Sequence, residues 1–173
     1  LCPDRFDAWK RRGQTKAAMG HPQEGLDDLE KSRQLFTAEL RTGKGSLQNP
    51  DYAREEQADI AYQLGLVCHQ MKDFQKACAH FMDAKKSGLM TPHLLNFLGM
   101  CEGQLGHVDA SLAYHSECRS VTPAFKECVL NMAQMLKEQG NFEKSEVLFT
   151  EAIKLYLAQK ETSGLSSLTC DDG

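Results

Sequence analysis

A fixed period of 34 residues constrains the fold of this chain more than any other feature of its sequence. Between Ala58 and about Leu157, residues of similar character recur at this step without insertion or deletion. The recurring sets are Leu64-Gly65, Leu98-Gly99 and Met132-Ala133; Phe74, Val108 and Phe142; Ala77, Ser111 and Ser145; and Phe81, His115 and Phe149. A constant period of about 20–50 residues indicates a stacked array of similar units rather than a closed globule.

Each repeat has the pattern of two helices joined by a short turn. From Ile60 to Ala84, apolar residues recur three and four positions apart on both sides of a break at Lys72-Asp73. This spacing is typical of amphipathic helices. A small residue such as Gly65 beside a large one lets two helices approach closely. We therefore predict an all-α fold of antiparallel helix pairs, with no strand in the repeating region.

The pattern resembles that of the tetratricopeptide repeat (TPR) family, a helix–turn–helix of about 34 residues. The large–small pairs above carry the resemblance, together with the turn glycines Gly106 and Gly140 and the closing proline Pro123. Lys72 departs from the turn glycine. The resemblance implies a right-handed superhelix of antiparallel helix pairs, an α-solenoid, whose first helices line a concave face.

We divide the chain into an array of about four repeats and a tail. The array spans 1–160, with repeats near 5–37, 58–90, 91–124 and 125–158, an insertion near 38–57, and a polar tail at 161–173 that we expect to be flexible. The step from Gly13 to Gly65 is 52 residues, so the first repeat holds 18 additional residues. Pro3 occupies the closing-proline position of an absent repeat, which leads us to expect that the chain begins inside a longer protein.

The insertion is expected to lengthen two helices and to form a surface loop between them. Apolar spacing continues through Leu40 in the second helix of the first repeat. The next helix should run from about Pro50 to Met71, with Asn49 as its N-cap. We expect residues 42–48 to form the loop and the last helix to end near Gln159.

The first repeat departs from the family pattern at two positions. Arg12 stands where a leucine is expected, and Lys16 stands where an aromatic residue is expected. We interpret this either as a degenerate first helix or as a helix whose charged side chains lie over a neighbour.

Composition and motifs argue against chemistry at a catalytic or metal centre. The net charge of −4 gives no global attraction to nucleic acid or to an acidic membrane, and no apolar run approaches the length of a membrane span. The six histidines show no zinc-type spacing. We expect no enzyme activity, no metal and no cofactor.

The seven cysteines form no C-x-x-C pair. Most of them lie within the helical pattern, where cysteines pack as small hydrophobic residues. We therefore expect a reducing, intracellular compartment, cytoplasmic and/or nuclear.

The resemblance places partner binding on the solvent-facing positions of the first helices. These positions combine amides, which both donate to and accept from a peptide backbone, with apolar side chains of the kind enriched at interfaces. The candidates are Tyr62, Gln63, Leu66 and His69 in the second repeat, His93, Asn96, Phe97 and Met100 in the third, and Leu130, Asn131 and Gln134 in the fourth. The alternative is that Leu66, Phe97 and Leu130 pack against neighbouring helices.

TPR co-chaperones bind the acidic C-termini of heat-shock chaperones through a basic clamp on successive first helices. Here Tyr62, Leu66, Phe97 and Glu127 occupy the corresponding rows, and only Lys10 suits an anion. We expect weak or no binding to such tails.

The sequence thus predicts a scaffold or adaptor that binds a protein or peptide partner and neither nucleic acid nor a membrane. The opening Arg5-Phe6-Asp7 and residues 9–13 resemble plant TPR repressors of immune signalling and their animal relatives. That resemblance implies transcriptional or immune regulation. The alternative is a regulatory or targeting arm of a larger enzyme whose catalytic domain lies outside this chain. Self-association through the array ends is a further expectation.

Overall fold

The chain folds into paired helices, as the period predicts. A computed structural model describes residues 5–43 and 45–166. Its α-helices are α1 Phe6–Ala18, α2 Pro22–Thr42, α3 Pro50–Gln70, α4 Phe74–Lys86, α5 Pro92–Gln104, α6 Val108–Val121, α7 Lys126–Glu138 and α8 Phe142–Ser166, and a 3-10 helix covers Gly45–Gln48. The described residues contain no strand, which confirms the all-α prediction.

The helices form two compact bodies, Leu1–Met90 and Thr91–Gly173. In the N-terminal body α1 pairs with α2 and α3 with α4, and α2 also packs on α3. In the C-terminal body α5 pairs with α6 and α7 with α8, and α7 packs on both α5 and α6. Each body therefore contains two helix pairs.

The small residue of each recurring large–small pair has a direct steric cause. A Cβ atom on Gly65 would lie 2.5 Å from the ring of Phe81, and one on Gly99 would lie 2.6 Å from the ring of His115. Equivalent hydrogen bonds join the helices of the last two pairs: Ser111 Oγ donates to the carbonyl of Gly99 at 2.6 Å, and Ser145 Oγ donates to that of Ala133 at 2.8 Å. The period therefore records the points where the two helices of a pair cross.

The insertion is mostly helical and partly buried. The helix α2 reaches Thr42 and ends at Gly43, whose φ of 59° is left-handed, a conformation that glycine adopts without steric cost. The side chain of Asn49 caps α3 by accepting from the backbone N–H of Asp51 at 3.0 Å, as predicted. The expected surface loop is wrong at Leu47, which is only 4% exposed.

The last helix is longer than expected. Instead of ending near Gln159, α8 continues to Ser166, so the first part of the predicted flexible tail, 161–166, is helical. Residues 167–173 and Pro3 lie outside the described residues.

An ion pair replaces the missing apolar contact in the first repeat. Arg12 Nε and Nη2 donate to the two carboxylate oxygens of Asp28 at 2.6 and 2.7 Å, and Lys16 Nζ lies 3.3 Å from the same carboxylate. The guanidinium of Arg12 also lies over the ring of Trp9, 4.3 Å from its centroid. Hydrogen bonds from Arg12, which outweigh the effect of burial, and then from Lys16 lower the pKa of Asp28. The interpretation that these charged side chains lie over a neighbouring helix is confirmed.

Two cysteines that were expected to pack as small hydrophobic residues form a disulfide instead. Cys118 at the end of α6 and Cys128 at the start of α7 form a disulfide, and both are fully buried. Sequence spacing did not indicate this pair, because it forms where two helices meet across the α6–α7 turn. Cys68 and Cys101 are buried among the helices, as expected.

Candidate partner-binding groove

A cavity of about 330 Å³ lies between α5 and α7 in the C-terminal body. Met100 and Gln104 line it from α5, Gln134 and Met135 line it from α7, and Val108 lines it from the start of α6. We call this surface the α5–α7 groove; it comprises Gly99, Met100, Gly103, Gln104, Val108, Ser111, His115, Asn131, Gln134, Met135, Glu138 and Gln139. The first helices of two successive repeats therefore form a shared concavity.

The α5–α7 groove combines thioethers with amides. The methionine side chains are flexible and polarizable, so they adapt to apolar groups of different shape. The exposed Gln134 donates from Nε2 to Oε1 of Glu138 at 2.8 Å, which leaves its carbonyl oxygen for a further hydrogen bond. This chemistry suits a peptide that offers both an apolar side chain and backbone hydrogen-bonding groups.

Asn96 and Asn131 connect the two walls of the groove. Asn131 Nδ2 donates to Asn96 Oδ1 at 2.8 Å, and Asn96 Nδ2 lies 3.5 Å from Met100 Sδ. Asn96 is only 9% exposed, so its predicted solvent-facing position is wrong. Its amide links α5 to α7 and lies beneath the surface that a partner would touch.

His115 lies against the α5 wall of the groove. Its ring packs against Gly99 in the slot that Phe81 fills against Gly65. The ring is 1% exposed, and its Nδ1 has no hydrogen-bond partner among the described residues. Burial lowers the pKa of His115 to about 4, because the charged imidazolium would lose its hydration. The imidazole is therefore neutral at physiological pH.

Three other predicted residues of the C-terminal body do not line the groove. His93 is exposed, and its ring lies edge-on to that of Phe125, with 4.8 Å between centroids. Phe97 is half-buried, and Leu130 is 38% exposed. A long ligand would have to extend beyond the groove to contact them.

The four predicted residues of the N-terminal body lie on α3, and all of them are half-buried: Tyr62, Gln63, Leu66 and His69. Tyr62 packs on Phe81, with 5.7 Å between ring centroids, and His69 packs edge-on against Phe74 at 5.5 Å. Gln63 Nε2 donates to Asp59 Oδ1 at 3.2 Å. Burial raises the pKa of Tyr62 and lowers that of His69. Tyr62, Gln63 and His69 therefore already take part in packing and hydrogen bonding within the body.

The residues predicted from the sequence do not include the part of the groove that lies one helical turn further along each first helix. Gly103, Gln104 and Glu138 all line the groove. The 34-residue step from His69 reaches Gly103, and the same step from Gln104 reaches Glu138. Continuing each first helix by one turn would have identified these positions.

A second cavity, of about 600 Å³, lies between α2 and α4 in the N-terminal body, with α3 as its floor. Phe36, Ile60 and Leu64 contribute apolar surface, and charged groups surround them: Arg33, Arg54, Asp83 and Lys86. Arg33 pairs with Glu30 at 2.6 Å and Lys86 with Asp83 at 3.6 Å. Three cations, Arg33, Arg54 and Lys86, line this cavity with one carboxylate, Asp83, so the charge of its lining is mainly positive.

Lys10, the cation that the sequence analysis considered for an anionic tail, is already neutralised. Its Nζ lies 2.6 Å from a carboxylate oxygen of Glu56 and 2.6 Å from one of Asp59. Burial disfavours the ammonium, but the hydrogen bonds that Lys10 donates to Asp59 and Glu56 outweigh this effect and raise the pKa of Lys10. An acidic peptide would have to displace both carboxylates.

The described residues contain neither a metal-binding cluster nor a candidate membrane span. No group of three or more His, Cys, Asp or Glu side chains is placed to hold a metal ion. None of the described helices combines the length and the apolar character that crossing a membrane requires.

Comparison with known families matches two stretches of the chain to a repeat family. The tetratricopeptide repeat model matches residues 58–87 and 127–159. A curated relative, U-box domain-containing protein 70 of Oryza sativa subsp. japonica, is 22% identical over 153 residues, which is 88% of this chain. The chain spans only 18% of that protein's length.

Solved structures share the fold. A crystal structure of MamA matches with a TM-score of 0.76 and 16% identity, over 92% of this chain and 83% of that one. YrrB, described as a TPR protein with an unusual peptide-binding site, matches with a TM-score of 0.70 and 18% identity, over 97% of this chain and 77% of that one. These likenesses establish the TPR-type α-solenoid fold.

Proposed function

Starting from its identification as a tetratricopeptide repeat protein, we propose that this chain is a non-catalytic scaffold that binds a peptide segment of another protein in the α5–α7 groove. The observation that carries the proposal is the groove itself, with Met100 and Met135 beside the amides of Asn131 and Gln134. YrrB, which has the same fold, is described as having a peptide-binding site.

The ligand expected from this surface is an extended peptide with one apolar anchor. A cavity of about 330 Å³ is at the small end of ligand sites, so it accommodates one or two side chains rather than a folded domain. Gln134 and Gln104 are placed to hydrogen-bond the backbone on either side of the anchor. We propose that His93, Phe97 and Leu130 extend this contact in the C-terminal body. Tyr62, Gln63, Leu66 and His69 stay proposed as contacts on α3.

A displayed peptide library selected on the intact protein tests this function. Selected peptides should share an apolar anchor, and Met100→Ala combined with Gln134→Ala should weaken their binding about tenfold or more, as the loss of an anchor contact and a hydrogen bond predicts. Lys137→Ala is the matched control, because this exposed residue is on α7 and does not line the groove. Equal loss with the control, or selected peptides that bind the double variant fully, would refute the assignment.

The finer regulatory role is a separate proposal. The opening residues Arg5–Gly13 support an adaptor in transcriptional or immune regulation through their resemblance to plant repressors and animal relatives. Proximity labelling in cells with the intact protein, compared with the Met100/Gln134 double variant, should identify regulators that depend on the groove. A labelled set without any such regulator would contradict this role.

We also propose an intracellular location, cytoplasmic and/or nuclear, which the burial of Cys68 and Cys101 within the helix packing supports. The Cys118–Cys128 disulfide weighs against a reducing compartment. Alkylation of thiols at lysis, followed by mass spectrometry, tests the proposal. Free Cys118 and Cys128 would support it, whereas full oxidation in every cell fraction would contradict it.

A second candidate function is that of a targeting arm within a larger enzyme. The observation in its favour is that the chain corresponds to 18% of the length of the rice U-box protein. The intact mass of the endogenous protein, measured after immunoprecipitation, decides between a separate scaffold and an arm of a longer chain.

A further inference from the structure

The helix α8 has an outer face that is unusually apolar. Ser145, Leu148 and Ala152 are buried on its inner side. On the outer side, Val147 is 66% exposed and Ile153 is 59% exposed. An exposed helix face of a soluble protein is normally polar, so large apolar residues on successive turns indicate a contact surface.

The sequence of this face is symmetrical about Thr150. Val147 and Ile153 lie three residues before and after it, and Glu146 and Lys154 lie four residues before and after it. Steps of three and four residues keep side chains on the same face of a helix. The five residues therefore form one surface, with an apolar and a charged position on each side of its centre.

A shallow cavity is lined by four of these five residues, all except Ile153. Its lining comprises Glu146, Val147, Thr150, Glu151 and Lys154. Glu151 pairs with Arg119 at 2.9 Å, whereas Glu146 and Lys154 form no ion pair with another described residue. The two charges that flank the symmetry centre are thus available to an external group.

We propose that this α8 face, Glu146–Lys154, binds the same face of a second copy of the chain, with the two helices antiparallel. A two-fold axis through Thr150 places Val147 opposite Ile153 of the second copy. The same axis places the carboxylate of Glu146 opposite the ammonium of Lys154 in the second copy. Each contact then occurs twice, as a two-fold interface requires.

The contact should give a weak, reversible dimer. One helix face of this length buries less than the roughly 1,600 Å² of a standard stable interface. Exposed ion pairs contribute little individually, and the apolar pairs supply most of the affinity. We therefore expect a dissociation constant in the micromolar range. This interface uses α8 and is independent of the α5–α7 groove.

Sedimentation velocity over a concentration series of the whole chain tests the proposal. The wild-type protein should show a reversible monomer–dimer equilibrium, and Ile153→Asp should abolish the dimer. Glu146→Lys and Lys154→Glu should each weaken dimerisation about tenfold, because two attractive pairs become two repulsive ones. Circular dichroism of each variant should show unchanged helicity.

Mixing the two charge-reversal variants gives the sharpest result. In a mixed dimer the Glu146→Lys chain carries two cations and the Lys154→Glu chain carries two carboxylates, so both opposed pairs are again attractive. The mixture should dimerise about as tightly as the wild type, which an unfolded variant could not do. Lys137→Glu, a charge reversal on α7, is the control that should leave the equilibrium unchanged. A wild-type monomer at every concentration, or a mixture no tighter than either variant alone, would overturn the proposal.

Discussion

Asn131 on α7 donates a 2.8 Å hydrogen bond to the side-chain oxygen of Asn96 on α5. The two residues are 35 positions apart and belong to successive repeats. Because Asn96 is 9% exposed, this bond satisfies an amide that water barely reaches. It therefore serves the packing of α5 against α7 as well as the shape of the α5–α7 groove.

Asn131→Ala should lower the free energy of unfolding by about 1–3 kcal/mol, because it leaves Asn96 Oδ1 without its amide donor in a buried position. Urea unfolding followed by circular dichroism measures the change. Gln134→Ala is the matched control on the same helix, and this exposed residue should change stability by no more than about 0.5 kcal/mol. Equal effects of the two substitutions would show that the Asn96–Asn131 hydrogen bond does not contribute to the free energy of unfolding. A binding test that relies on Asn131→Ala would mix stability with affinity, so Gln134 is the better choice.

The free energy of unfolding should fall as the pH drops from about 6.5 towards 4, because of His115. In the fold its pKa is about 4, so the ring stays neutral over this range. In the unfolded chain the same ring becomes protonated. The sign follows from proton uptake: the unfolded state binds more protons, so acid favours it. The full effect is on the order of 3 kcal/mol. His115→Phe should remove this part of the pH dependence and keep the ring contact with Gly99.

Urea titrations at several pH values between these limits measure the effect. His93→Gln replaces an exposed histidine of the same body and should retain the wild-type slope of stability against pH. If His115→Phe and His93→Gln gave identical slopes, the assignment to His115 would be wrong.

Arg12→Leu should destabilise the fold even though it restores the residue type of the family pattern, because it removes the main partner of the buried Asp28 carboxylate. The pKa of Asp28 is lowered in the fold, so its contribution to stability is present above about pH 3.9, the value for the unfolded chain. It is lost as the pH falls through the lower folded value. A double-mutant cycle of Arg12→Leu and Asp28→Asn, measured by denaturant unfolding near neutral pH, should show a favourable coupling. Additive effects would contradict the pairing.

Leu47→Ala should lower the free energy of unfolding by about 2–3 kcal/mol, because Leu47 is 4% exposed and packs in the same cluster as Phe36 and Ala53. Deleting residues 42–48 should therefore be costly, contrary to the expectation for a surface loop. Thermal unfolding measures the change. Leu105→Ala is the control, because it makes the same substitution at a leucine that is 37% exposed. A Leu47→Ala melting curve as little changed as that of the control would place the segment outside the core.

The sequence alone determined the helix pairs and the points where they cross. Gly65 against Phe81 and Gly99 against His115 follow from the 34-residue step, because close approach of two helices requires a missing side chain at a regular place. The capped start of α3 at Asn49 follows from local chemistry in the same way, since a cap involves only neighbouring residues.

Tertiary structure decided the contacts between helices that are distant in sequence. A helical pattern shows which side of a helix is apolar, but the rotation of one helix against the next determines whether a polar residue at the boundary is exposed. That rotation buries Asn96 and brings Cys118 to Cys128. It also leaves the outer face of α8 uncovered among the described residues, with Val147 and Ile153 in solvent. Packing between helices, which depends on the positions of all side chains at once, is the physical reason that these features required the structure.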